Sequence, residues 1–318
     1  MSNKDLVVGS LIAKTGEKKT GMVEFLVDGN PFSLEVFLIN GKNDGPTLVV
    51  TGGIHAAEYA SIAAALEVGQ KLNAEELSGQ VIIVPVVNQR GFRVRSIYIN
   101  PMDGLNLNRV FPGKADGSAS EQIANWMFQN VIKQADYYID LHGGDLVEAL
   151  IPFTIFFKSG NEKDDNASKE LATVFGIPYL VRSESVGSTF SAAAKTGIPS
   201  ILTEAGAQGI WRRDQVELHI DGINRVMRHY GLLAGGAPAE VTCTTLDNFI
   251  WVRSDAQGFW YPAVEVGENV KAGQNLGCIK DAWGNMLQDV TSEGSGAVLF
   301  LVSSLAINKG DPLLAYGV

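Results

Sequence analysis

The stretch TLVVTGGIHAAEYASIAAALEV, residues 47–68, decides how this chain is read. Leu48-Val49-Val50 is apolar and β-branched, the composition of a buried strand. Gly52-Gly53 breaks that strand, and beyond Glu58 an alanine-rich segment is strongly helical to about Leu72. His55 and Glu58 therefore stand at the turn between a strand and a helix, where ligands gather in an open α/β sheet. An imidazole nitrogen and a carboxylate oxygen suit zinc, which asks for at least one further ligand. An H-x-x-E pair alone is common by chance, so its weight rests on the rest of the chain.

Working outward, Val81–Val87 (VIIVPVV) reads as a second buried strand ending at Asn88. Strand, helix and strand at this spacing make a βαβ unit and predict a parallel sheet. Upstream, residues 5–39 alternate short β-like runs with turn residues and lead into that sheet. Downstream, residues 88–118 form a long irregular stretch, a length usually reserved for function. It carries Arg90, Arg93, Arg95 and Arg109 beside Asn106 and Asn108, while Leu105, Leu107, Val110 and Phe111 pin it to the body.

Ser118 or Ser120 caps the next helix, with Glu121 in its first turn, and the apolar spacing carries it to about Gln134. Tyr137–Leu141 (YYIDL) is a strand that runs directly into His142-Gly143-Gly144. His142 would complete a His₂Glu set with His55 and Glu58, leaving one position open for water. Asp140, two residues earlier, is placed to orient a ligand histidine. A strand at 151–157, a helix near 164–175, a strand near 178–182 and a short helix near 188–196 follow. The strand 199–203 then ends in Glu204, which reads either as a salt-bridged structural acid or as the base that a zinc site needs. A helix at about 214–233 carries His219 and His229, read as structural or exposed.

Residues 234–240 (AGGAPAE) form a linker, so the chain divides into a catalytic α/β domain, 1–236, and a C-terminal β domain, 237–318. The second contains a faint repeat, in which Gly258 to Gly273 ends in VKAGQ and Gly296 to Gly310 ends in INKGD. Paired halves of this kind resemble the barrel-sandwich fold of biotin and lipoyl carriers. A carrier needs a lysine at the turn between its halves, and none lies between Asp281 and Gly296.

Composition bounds the function. A net charge of −10 disfavours nucleic acid, which needs a basic face. No apolar run approaches a membrane span, and the N-terminus is charged too early for a signal peptide. Cys243 and Cys278 fit neither a metal knuckle nor a disulfide framework, so free thiols in a reducing cytoplasm are expected.

Taken together, GGIHAAE at 52–58, DGLNLNRVFPG at 103–113, DLHGG at 140–144 and TEAG at 203–206 resemble the succinylglutamate desuccinylase/aspartoacylase family of the zinc carboxypeptidase clan. The resemblance spans most of residues 45–210, and the C-terminal β domain matches too. It implies a mixed, largely parallel sheet flanked by helices, with the β domain lying over the cleft. It makes His55, Glu58 and His142 the ligands of one zinc ion per chain and Glu204 the general base. Arg109 with Asn108 corresponds to the Asn-Arg pair that binds the substrate carboxylate, and Arg95 to the arginine that polarises the scissile carbonyl. The implied activity is hydrolysis of a small N-acyl amino acid, and the loop 91–113 looks most like the branch of N-acetyl-diaminobutyrate deacetylases. A carboxypeptidase acting on short peptides and a non-catalytic zinc-binding protein are the alternatives. A homo-oligomer is compatible with all three.

Overall fold

Five parallel pairings and three antiparallel ones build the sheet that the βαβ pattern predicts. A computed structural model describes residues 3–236 and 239–318. The nine strands run, edge to edge, Thr244–Leu246, Tyr179–Ser183, Phe153–Phe157, Ser200–Glu204, Tyr137–His142, Asn43–Thr51, Ser78–Val84, Asn30–Asn40 and Lys18–Val27. Alternation along the central strands sends Val49, Tyr138 and Leu202 to one face and Leu48, Val50, Ile139 and Ile201 to the other. Helices Ala119–Asn130 and Thr189–Ala194 cover the first face. Tyr59–Lys71, Glu162–Phe175 and Arg213–His229 cover the second. The alanines of Tyr59–Lys71 pack directly on the strands, because a small side chain lets the backbone approach.

Several local expectations hold for the stated reasons. Ser118 caps its helix in a full capping box with Glu121. Others shift. The second core strand is Ser78–Val84 and stops before Pro85, which has no N–H to donate to the ladder. The stretch from residue 88 is less irregular than expected, since Asn88 accepts from the Gly91 amide and starts the helix Gln89–Val94.

The C-terminal segment forms two antiparallel sheets around one apolar core that includes Trp260, Leu276, Val298 and Leu313. The repeat is visible in it. Gly258–Pro262, Asn269–Val270 and Asn275–Lys280 recur as Gly296–Val302, Ala306–Ile307 and Pro312–Gly317. Each half lends its short strand to the long strand of the other. The repeated glycines, Gly273 and Gly310, both take positive φ in the turns that reverse the chain.

The two units also exchange strands, which the sequence reading missed. Thr244–Leu246 joins the edge of the large sheet, and Glu148–Leu150 joins the C-terminal sheet beside Gly296–Val302. Ala237 and Pro238 of the expected linker lie outside the described residues. Cys243 and Cys278 are free thiols, and among the described residues no helix is long and apolar enough to cross a membrane.

Candidate active site

Three parallel strand ends converge on one point. The ladder sets Thr51 opposite Asp140, and Glu204 opposite His142. Residues 52–58 carry His55 and Glu58 from the first of these ends to the start of the helix Tyr59–Lys71. Glu58 occupies that helix's cap position, but its carboxylate makes no cap bond. It turns instead to His55 Nδ1 at 2.7 Å and His142 Nδ1 at 2.8 Å. One ligand atom from each of these three residues lies within 4.8 Å of the other two, a group that could hold a metal ion.

The surroundings fit that use. Asp140 Oδ2 lies 2.9 Å from His142 Nε2, and Asn106 Oδ1 lies 3.1 Å from His55 Nε2. When both Nε2 protons go to these oxygens, Nδ1 of each ring is left to coordinate a metal ion; without one, the Glu58 carboxylate faces both Nδ1 atoms. Asn108 Nδ2, 3.3 Å from His142 Nε2, gains no acceptor in that tautomer. His142 Nδ1 is buried, and despite its closeness to Glu58 it has no hydrogen-bond partner. Two imidazole nitrogens and a carboxylate oxygen are a donor set suited to zinc.

Charge points the same way. Burial alone would lower the pKa of His142, yet Glu58 and Asp140 on either side hold it well above the ordinary range. Burial pushes the Glu58 carboxyl up, but the two histidines outweigh it and bring it down to about 2. The Glu204 carboxyl is raised well above its usual range, by burial first and by Glu58 next. Its Oε2 is buried without a partner. A cation placed among these groups would relieve the repulsion between Glu58 and Glu204.

These groups open into a cavity of about 830 Å³, lined also by Tyr98, Arg109, Glu148 and Arg182. Phe249, Trp251, Arg253 and Phe300 of the C-terminal segment complete its wall. Arg109 lines the cavity with its Nη1 donating to Asn108 O at 2.9 Å, and desolvation by the surrounding protein lowers its pKa. Its loop is tied down at Gly187, whose carbonyl accepts from Phe111 N–H at 2.8 Å. Gly187 has φ +95°, and a Cβ there would meet Arg109 O at 2.5 Å, so only glycine allows this approach.

The structure thus brings His55, Glu58, His142, Asn108, Arg109 and Glu204 to one cavity. Two of the expected residues behave differently. Arg95 is exposed in the left-handed conformation that ends Gln89–Val94, outside the cavity wall. Asn108 is 1% exposed, and its Oδ1 accepts Thr189 N–H at 3.0 Å, so its side chain is committed to holding the loop. Sequence reasoning missed Tyr98, Glu148, Arg182 and Arg253, which carry no motif of their own. It also left His219 without a site role, yet this buried side chain lies 3.2 Å from Thr203 Oγ1 and 3.1 Å from Ala205 O. It braces both neighbours of Glu204.

Comparison with known proteins adds to this geometry. Residues 44–230 match the succinylglutamate desuccinylase/aspartoacylase catalytic domain. An N-alpha-acetyl-L-2,4-diaminobutyric acid deacetylase of Halomonas elongata is 29% identical over 283 residues, covering 86% of this chain and 82% of that protein. The product-bound structure of an ectoine utilization protein from Ruegeria pomeroyi has a TM-score of 0.86 at 26% identity and covers 95% of both chains. A succinylglutamate desuccinylase/aspartoacylase from Rhodobacter sphaeroides shares the fold, with a TM-score of 0.85 at 24% identity over 95% of each chain.

Proposed function

Because the chain belongs to the succinylglutamate desuccinylase/aspartoacylase family, we propose that it is a zinc-dependent deacylase of a small N-acyl amino acid, the acetyl group being the first acyl group to test. The observation that carries this reading is the buried His55–Glu58–His142 set, with the unpartnered Glu204 carboxylate beside it in one walled cavity. The volume, about 830 Å³, suits a small molecule. The Halomonas relative's name supplies the acetyl group.

His55, Glu58 and His142 would hold the ion through Nδ1, a carboxylate oxygen and Nδ1. When bound there, zinc would lower the pKa of water to roughly 7 and polarise a carbonyl oxygen. Asp140 keeps the Nε2 proton of His142 and so keeps Nδ1 a donor of electrons. Glu204, made more basic by burial and by Glu58, takes the proton of the attacking water and returns it to the leaving amine. Arg109 grips the substrate carboxylate with its planar fork. Asn108 holds Arg109's loop against Thr189. Arg95 lies outside the wall, and no step uses it.

The test compares zinc-loaded and chelated protein on N-acetyl and N-succinyl amino acids and on matched dipeptides. We expect zinc-dependent release of the acyl group and little action on dipeptides. Arg109→Lys should raise KM by roughly 10-fold or more, because a point charge replaces a bidentate fork. Hydrolysis of the dipeptides alone would favour a carboxypeptidase. Stoichiometric zinc without turnover of either class would favour a non-catalytic protein.

A further inference from the structure

The family resemblance assigns polarisation of the scissile carbonyl to Arg95, but Arg95 lies outside the cavity wall. The cations on the wall have other partners. Lys158 pairs with Glu184 at 2.6 Å and Arg182 with Asp247 at 3.4 Å, while Arg253 Nη1 donates to Gly310 O at 3.0 Å. Arg109 is assigned to the substrate carboxylate. Tyr98, by contrast, lines the cavity beside the proposed metal ligands. Its ring meets His55 edge-on, with centroids 6.0 Å apart and planes at 80°.

The backbone holds it there. Tyr98 has φ +57°, a left-handed conformation that a bulky residue rarely takes. Its amide donates to Asp145 Oδ2 at 3.0 Å. The next residue, Ile99, bridges to Asn106, whose Oδ1 lies 3.1 Å from His55 Nε2. One short segment thus places the tyrosine and braces the partner of a metal ligand. Strain of this kind persists only where the surroundings enforce it, and it collects at active sites.

A phenol keeps its proton at neutral pH, and burial, with the charge of Glu148 next, raises the pKa of Tyr98 further. Its hydroxyl shares a hydrogen bond with the Glu148 side chain. Burial pushes the Glu148 carboxyl up to about 7. In its protonated form Glu148 donates to the phenolic oxygen, which leaves the phenolic proton for a ligand in the cavity.

We propose that the Tyr98 hydroxyl is the donor to the scissile carbonyl oxygen, a catalytic hydrogen bond that strengthens as that oxygen becomes an oxyanion. This rests on the deacylase reading given above. As the water oxygen bonds to the carbonyl carbon, the π pair of the C=O bond moves onto oxygen, and Tyr98 stabilises it without giving up its proton. When the C–N bond breaks, that pair re-forms the C=O bond, and the leaving nitrogen takes the proton carried by Glu204.

The experiment measures kcat, KM, zinc content and melting temperature for zinc-loaded wild type and Tyr98→Phe on the N-acetyl and N-succinyl amino acids named above. Calorimetry on the same preparations follows the phosphonamidate analogue of the best substrate, which carries a tetrahedral oxygen where the oxyanion forms, and the free amino acid. Tyr98→Phe keeps the ring against His55 and removes only the hydroxyl. Its kcat should fall roughly 10²- to 10³-fold, the loss typical of one oxyanion donor, with KM within about 3-fold of wild type. Affinity for the phosphonamidate should fall by a similar factor, while zinc content, melting temperature and affinity for the free amino acid hold. Wild-type kcat in the variant, or unchanged affinity for the phosphonamidate, overturns the proposal and leaves the deacylase reading intact. Loss of zinc or of fold in the variant makes Tyr98 a structural brace and overturns it as well. A wild type that hydrolyses none of these compounds overturns the deacylase reading, and this role with it.

Discussion

Glu204→Gln separates the base reading of Glu204 from a structural one, and the structure sets the size of each effect. Glu204 Oε2 is buried without a partner, and no cation makes an ion pair with it among the described residues. Breaking a buried ion pair costs about 3–5 kcal/mol, but here there is no pair to break. An amide of the same shape removes no bond from that oxygen, and it avoids the cost that burial places on a charged carboxylate. Stability should therefore change by no more than about 1 kcal/mol, a melting shift of roughly 2–4 °C. The proposed ligand set does not include Glu204, so metal content should stay at the wild-type level. An amide cannot accept the water's proton, and the loss of general-base catalysis should lower kcat about 10²- to 10⁴-fold. That is roughly 3–5 kcal/mol of transition-state stabilisation. Metal content, melting temperature and turnover are measured on one preparation. A stable, metal-loaded Gln variant with wild-type turnover would refute the assignment. So would a large loss of stability with full activity per folded molecule.

Two further outcomes follow from buried groups around the site. Asp140 accepts from His142 Nε2 at 2.9 Å, from Thr51 Oγ1 at 2.7 Å and from the Thr189 hydroxyl. Asp140→Asn should weaken metal binding roughly 10- to 100-fold in a chelator competition, and unchanged affinity would remove Asp140 from this role. His219 is held neutral, its pKa lowered to about 4 chiefly by burial. The unfolded chain, with an imidazole pKa of about 6.5, binds more protons between those values, so stability falls as pH drops through that window. By pH 5 the loss amounts to about 2 kcal/mol, and His219→Gln should show a correspondingly flatter dependence of its urea midpoint between pH 7 and 5. Equal slopes in the two proteins would show that His219 does not carry the effect.

The βαβ start, the capped helix at Ser118 and the polar residues at strand ends were legible in local patterns, because each is a short-range preference of the backbone. The glycine-marked repeat of the C-terminal segment was legible for the same reason, since a reversal with positive φ demands glycine at Gly273 and Gly310. His55 and Glu58 declared themselves as a pair because one turn fixes their spacing. Their meeting with His142 and Glu204 is a matter of register: parallel pairing between Ser200–Glu204 and Tyr137–His142 sets two residues far apart in sequence side by side. No periodicity could place Arg95 outside the cavity and Arg182 and Arg253 within it, because both outcomes depend on how the C-terminal strands and the segment around Arg95 pack against the large sheet. Glu148 was silent in the sequence and His219 readable only as structural or exposed, and their environments arise only when strands and helices pack. The sequence by itself determined the elements and the chemical types at their ends. Tertiary structure decided which carboxylates are paired and which are free, because burial and partnership are properties of the folded neighbourhood rather than of the residue.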